Sequence, residues 1–317
     1  MSQTRRTGGY TVVLVTVVIL ALVPVVTAKS PYYSRITTLM LMYMVFAVAF
    51  NLIFGHTKQL FLCLGALVGS SAYFSVVLTR HFSLSPWITI PLGILFATFL
   101  GGLFSYVAVR RGLGVIFAGV ITLAFSMIFH NLLLGLREYT NGETGIVTRG
   151  LGAGILERSL PSYYMFLGLL LFALLLYHYL MSSRVGVAFR ALSDDEFSAE
   201  LAGIDVSMYK VLAASIGSGL LGAVGAFYAY YNGLISPAMF SLAAIDIVVL
   251  ITLLLGGMGS LLGPILGGAG FTIIDELVRP FGQLNVLVYG TLLIVLFVTF
   301  REGLVSVIKK TTKLQLP

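Results

Sequence analysis

Charge is scarce in this sequence. Of 317 residues, 19 are Lys or Arg and 12 are Asp or Glu, 10% in all, where a soluble domain carries about 25%. Hydrophobic residues make up 58% and the mean hydropathy is +1.02, which excludes an ordinary soluble protein. There is one cysteine, Cys63, so no disulfide framework can form within the chain. Its apolar setting suits a packed small residue. The short alternating segments of a membrane β-barrel are missing. So is a glycine-rich loop ending in Lys-Ser or Lys-Thr, which excludes that route to holding ATP. The four histidines, His56, His81, His130 and His178, are isolated and lack metal-ligand spacing. No nucleophile–base pair is recognisable, so neither an enzyme nor a cofactor bound directly by this chain is expected. The net charge of +7 is not a nucleic-acid signal, because the cations are spread singly at the ends of apolar runs.

What is there is apolar sequence, in runs long enough to cross a bilayer at roughly 20 residues each. Ten crossings are expected, near 10–28, 34–55, 60–79, 86–109, 113–136, 161–181, 209–232, 244–259, 262–278 and 285–303. The chain therefore reads as an all-α polytopic membrane protein forming a single transmembrane domain over 1–317. Threaded with both termini in the cytoplasm, it places 12 cations inside and 7 outside, which together are all 19. That is the bias the positive-inside rule expects. The eighth and ninth runs are short and glycine-rich, so one of them could be re-entrant. Val26-Thr27-Ala28 resembles a signal-peptidase site, but the preceding tract is long and contains Pro24, which favours a retained helix. Small residues recur in rows: Ala214, Ser218, Gly222 and Ala226, then Gly65 with Gly69, and Gly263 with Gly267. Such rows let helix backbones approach closely in lipid. LIFG at 52–55 before the Gly65/Gly69 pair and LLLG at 253–256 before Gly263/Gly267 are a faint trace of an internal duplication.

Two polar segments interrupt the oil. One is an outer loop of about 137–160. The other is a cytoplasmic loop of about 182–208; from Arg184 to Lys210 the charges Arg184, Arg190, Asp194, Asp195, Glu196, Glu200, Asp205 and Lys210 crowd together. Ser193 with Glu196 three residues on makes a capping box, and Asp194, Asp195 and Glu196 suit the first turn of a helix. Gly203 is a natural stop, and Phe197, Leu201 and Ile204 fall on one apolar stripe. A plain connector needs neither caps nor a stripe. A helix lying on anionic headgroups should be basic rather than acid-headed. A helix that docks into another protein fits both features.

The same segment, GVAFRALSDDEFSAELAGIDVSMYKVLA, resembles the cytoplasmic loop of LivM-type permeases, the membrane subunits of branched-chain amino acid ABC importers. Their pattern runs R-A-x-x-D/E-D/N-E-x-A-A-E-x-x-G-I/V; Arg190, Ala191, Asp194, Asp195, Glu196, Ala199, Glu200, Gly203 and Ile204 match it. AFYAYYNGLISPAMF (226–240), GGMGSLLGPILGG (256–268), TLAF (122–125) and TNGETGI (140–146) are similar to further motifs of that family. NLIFGHTKQLFLCLG (51–65) departs more. Asn51, Gly55 and Gln59 agree, while Lys58, Phe61 and Cys63 replace Gly, Ser and Gly. The likeness covers roughly 40–305.

The resemblance implies a bacterial inner-membrane permease subunit that moves amino acids, foremost Leu, Ile and Val, with urea, short amides or other amino acids as alternatives. It implies a coupling helix that meets ATP-binding subunits through Arg190, Asp194, Asp195, Glu196, Ala199, Glu200 and Gly203. The implied partners are two such subunits, which carry ATP-Mg, a LivH-like second permease or a second copy of this chain, and a periplasmic binding protein. A path for a zwitterion suggests Asn51, Ser126, Asn131, Asn141 and Asn232. Carboxylates within or at the edges of spans, Asp246 and the pair Asp275–Glu276, support a rival reading, an ion-coupled secondary transporter. They are expected near outer span ends, within reach of water.

Overall fold

The structure, a computed structural model, describes residues 19–24, 27, 30–148 and 159–299. Most of the first expected crossing, the cleavage-like site at 26–28 apart from Thr27, residues 149–158 of the outer loop and both chain ends therefore fall outside the described residues. Residues 19–24 are helical. The helices that follow are α1 (Pro31–Phe50), running on into a π-turn at Asn51–Gly55, α2 (Leu64–Phe82), α3 (Pro86–Arg110), α4 (Val115–Gly135) and α5 (Ser159–Ser182). Next come α6 (Arg184–Asp194), α7 (Glu196–Leu201), α8 (Val206–Asn232), α9 (Ile247–Gly256), α10 (Gly263–Val278) and α11 (Asn285–Thr299). Two short strands, β1 (Ile146–Val147) and β2 (Leu234–Ile235), pair antiparallel with Ile146 opposite Ile235.

Five helices among the described residues are long and apolar enough to cross a membrane: α1 with its π-turn, α3, α4, α5 from Leu160, and α8. Nine of the ten expected crossings coincide with helices, and two of them begin irregularly. The third begins at Leu64 rather than 60, because Lys58 takes φ +53 and residues 58–63 are not helical. The eighth begins with a π-turn at Leu242–Asp246 and ends at Gly256.

The contacts divide into two compact units. Of the described residues, one comprises 49–148 and 176–248. Its centre is α2, α3 and α8, and α8 runs antiparallel to α3 along a row of small residues. A Cβ on Gly101 would stand 1.7 Å from Ser218 Oγ, and one on Gly222 2.7 Å from Ala97 Cβ. Gly225 lies so close to α2 that a Cβ would meet the Val68 carbonyl oxygen at 2.2 Å. With no hydrophobic drive in lipid, this close approach and a few buried hydroxyl bonds hold such helices together. The expected row on α8 is thus a packing face. At its far end Thr79 Oγ1 bonds Thr89 Oγ1 and Tyr230 OH, each at 2.8 Å.

The other unit comprises the described residues up to 48, with 159–175 and 249–299. There α9 and α10 form a tight pair, turned by Gly257 and Gly259 at positive φ. A Cβ on Gly263 would meet the Gly257 carbonyl at 2.1 Å and one on Gly267 the Thr252 carbonyl at 2.0 Å. Both halves of the suspected duplication are thus a helix, a break and a second helix that begins on small residues.

Candidate functional site

The charged segment folds into α6, α7 and the start of α8, with every join capped. Ser183 accepts from the Val185 amide to start α6. Gly186, Ala188, Phe189 and Leu192 are buried, while Arg190 reaches back to the Met181 carbonyl at 3.1 Å. Asp195 is extended, and its carboxylate accepts from the Ser198 amide at 3.1 Å and from the Ser198 hydroxyl. These bonds hold the Asp195 carboxyl below its ordinary range, the hydroxyl contributing most. The expected capping box is corrected here. Ser193 lies inside α6, and Asp195, not Ser193, caps the acid-headed helix, which is α7 alone. An extended residue at 195 splits what the sequence suggested as one rod.

The stop at Gly203 is as expected. Its φ is +83, and the amides of Gly203 and Ile204 bond the carbonyls of Glu200 and Ala199, the Schellman pattern that needs glycine at its left-handed position. Asp205 then caps α8 through the Met208 amide at 2.9 Å. Of the expected contact residues, Ala199 is buried against the body, while Arg190, Asp194, Asp195, Glu196, Glu200 and Gly203 are exposed. So are the apolar Phe197 (68%) and Leu201 (74%). The result is a capped, polar-ringed knob with two uncovered hydrophobic side chains.

The knob is tied to the spans by the segment that follows α1. Glu196 pairs with Lys210 at 2.5 Å, and Lys58 Nζ lies 3.5 Å from the Asp194 carbonyl. Buried Gln59 donates to the Lys210 carbonyl and to Thr57 Oγ1, both at 2.9 Å, and accepts from Ser105 Oγ at 2.6 Å. Further on, the Leu62 amide bonds Thr122 Oγ1 at 3.0 Å, and the Leu64 and Gly65 amides bond the Asp246 carboxylate at 2.6 and 3.1 Å. Asp246 is 1% exposed. The expectation that water reaches it is therefore corrected: the π-turn carries it inward, where it caps α2 from another segment. Sequence reasoning could not foresee this partner; the available signal was an acid in an apolar run.

Asp275 accepts from Tyr289 OH, and Glu276 from Tyr32 OH and from Arg279 at 3.4 Å. No group of three His, Cys, Asp or Glu suited to a metal occurs among the described residues. Buried Cys63 is free and directly precedes α2. His56 is buried, bonds Tyr177 OH at 2.7 Å and stacks near Phe189.

The five path candidates do not form one cluster. Asn51 is buried beside Tyr177 OH at 3.4 Å. Ser126 is buried on α4, and exposed Asn131 bonds the Met127 carbonyl of its own helix. Asn141 turns the chain at φ +58 and bonds the Gly145 carbonyl, while Asn232 bonds the Leu234 carbonyl. These last two flank the β1–β2 pair and so come to one end of the unit.

A family model described as branched-chain amino acid transport system / permease component matches residues 32–298. Over 307 residues the chain is 27% identical to the high-affinity branched-chain amino acid transport system permease protein LivM of Escherichia coli, covering 88% of this chain and 71% of that protein. The LivM protein of Salmonella typhimurium is 26% identical with the same coverage. A probable branched-chain amino acid transport permease protein, LivH of Methanocaldococcus jannaschii, is 25% identical over 239 residues, 71% of this chain and 74% of that protein. No solved structure matches.

Proposed function

The chain belongs to the branched-chain amino acid transport system permease family, and from that premise we propose how it works. It is the membrane subunit of an ABC importer for amino acids with aliphatic side chains, driven by ATP hydrolysed on separate subunits. It crosses the bacterial inner membrane about ten times with both ends in the cytoplasm, and α6–α7 lie on that same side. Two ATP-binding subunits, each with its own ATP-Mg, engage the permease pair, one of them through α6 and α7. A LivH-like chain, or a second copy of this one, completes the permease. A periplasmic binding protein delivers the substrate at the opposite face, near Asn141 and the β1–β2 pair. Closure of the ATP-binding subunits then moves the knob and switches access from one side to the other. Asn51, Ser126, Asn131 and Asn232 supply uncharged polar contacts along the way.

The observation that carries this reading is the pair Phe197 and Leu201, uncovered on a helix capped at both ends. An amphipathic helix presented in this way is built to enter a groove. The test is Phe197→Asp with Leu201→Asp in the assembled complex. ATP-binding subunits should no longer co-purify, and ATP-driven leucine uptake into proteoliposomes should vanish. Normal assembly and uptake in the double variant would overturn the docking role.

A further inference from the structure

Between α1 and α2 the chain runs without helix from Lys58 to Cys63, although most of this stretch is apolar and was expected inside a crossing. Non-helical backbone at membrane depth persists only where protein buries it or a cavity receives it. Here protein holds both ends. At the first end Lys210 serves as the node: its ammonium pairs with Glu196 of the knob, and its carbonyl accepts from Gln59. Gln59 has every polar atom of its side chain engaged, the third partner being Ser105 on α3. At the far end, Leu62 is bonded to Thr122, seven residues into α4, or about 10 Å from its start. Leu64 and Gly65 are gripped by Asp246.

The segment that carries Asp246 is itself irregular. After α8, residues 233–246 turn back through a 3-10 turn at Pro237–Phe240 and the π-turn. Phe240 reaches α2 so closely that a Cβ on Gly65 would stand 2.5 Å from its carbonyl oxygen. Two interrupted stretches, one leading from the knob and one returning from the other end of α8, thus meet at the first turn of α2. Lys58 sits at φ +53, a conformation L-residues adopt at a cost, so strain is stored at the inner end of the link.

We infer that Lys58–Cys63 is the link that carries displacement of the docking knob to the break at Leu64–Gly65 and Asp246, with Gln59 as the positioning residue that fastens it to α8. The inference rests on the docking role of α6–α7 and adds to it the route taken inside the chain. Packed networks with two discrete arrangements are the physical means by which such coupling travels.

The experiment uses the whole complex in proteoliposomes, with leucine-loaded binding protein. Gln59→Leu should leave the ATP-binding subunits attached in unchanged ratio. Leucine moved per ATP hydrolysed should fall about tenfold or more. Hydrogen exchange at the Leu62–Gly65 amides should change on trapping with ATP and vanadate in the parent complex and stay flat in the variant. An unchanged transport-to-hydrolysis ratio, or an exchange response that survives the substitution, overturns the inference. Should Gln59→Leu fail to assemble, Ser105→Ala removes a single bond and decides the matter: a drop of about threefold or more in the ratio supports the link, and no drop overturns it. Failure of the docking role is seen separately, as normal assembly of the Phe197 and Leu201 double variant.

Discussion

Two aspartates do the same job, capping a helix, in opposite surroundings. Asp195 is exposed and caps α7 through Ser198. Because its carboxyl is held below the ordinary value of 3.8, its contribution is complete above that value and fades only as pH falls through the depressed one. Once intrinsic rates are corrected for, protection of the Ser198 amide from exchange should therefore be flat from pH 5 to 8 in wild type. It should be lost at all pH values in Asp195→Ala, while Asp195→Ser retains most of it. Asp246 is buried and holds two amides of α2. Asp246→Ala leaves both unpaired, at about 1–3 kcal/mol each. Thermal unfolding of the purified chain should show a clear loss, and Asp246→Asn, which keeps one acceptor oxygen, a smaller one.

At the scale of elements, close approach decides which glycines matter. Gly225 of α8 and Gly168 of α5 both stand inside helices, yet a Cβ on Gly225 would strike the Val68 backbone while nothing lies within 4 Å of one on Gly168. Gly225→Ala should destabilise by about 1–3 kcal/mol through overpacking. Gly168→Ala should be neutral or gain up to about 1 kcal/mol, since alanine favours the helix. Thermal melts of the two variants check the contrast. Most helices were legible in the sequence because apolar run length is a direct record of span length. The stop at Gly203 was legible too, since few residues accept its backbone. The split at Asp195 was not, because two adjacent acids and a serine offer several equivalent caps and only packing of α6 chooses between them. The break at 58–63 was hidden for a related reason. Leu60, Phe61, Leu62 and Cys63 read as membrane helix, and the polar partners that let them unwind, Ser105, Thr122 and Lys210, come from distant segments.

At the scale of the whole molecule, the choice is between energy from ATP and energy from an ion gradient. A self-contained ion-coupled carrier needs an acid that can take up and release its ion as the protein turns over. Among the described residues, the three carboxylates that could serve are occupied otherwise. Asp246 caps a helix, Asp275 accepts from Tyr289, and Glu276 from Tyr32 and Arg279. The knob, by contrast, exposes two large apolar side chains that a carrier working alone would have reason to cover. Leucine uptake into proteoliposomes of the assembled complex should follow internal ATP and persist when a protonophore dissipates the gradient. In the same preparation Asp275→Asn should keep at least half of the uptake, roughly what weakening a single hydrogen bond at a helix end should do. Uptake that ignores ATP and stops with the gradient would instead make Asp246, Asp275 and Glu276 the working groups and leave α6–α7 without a task.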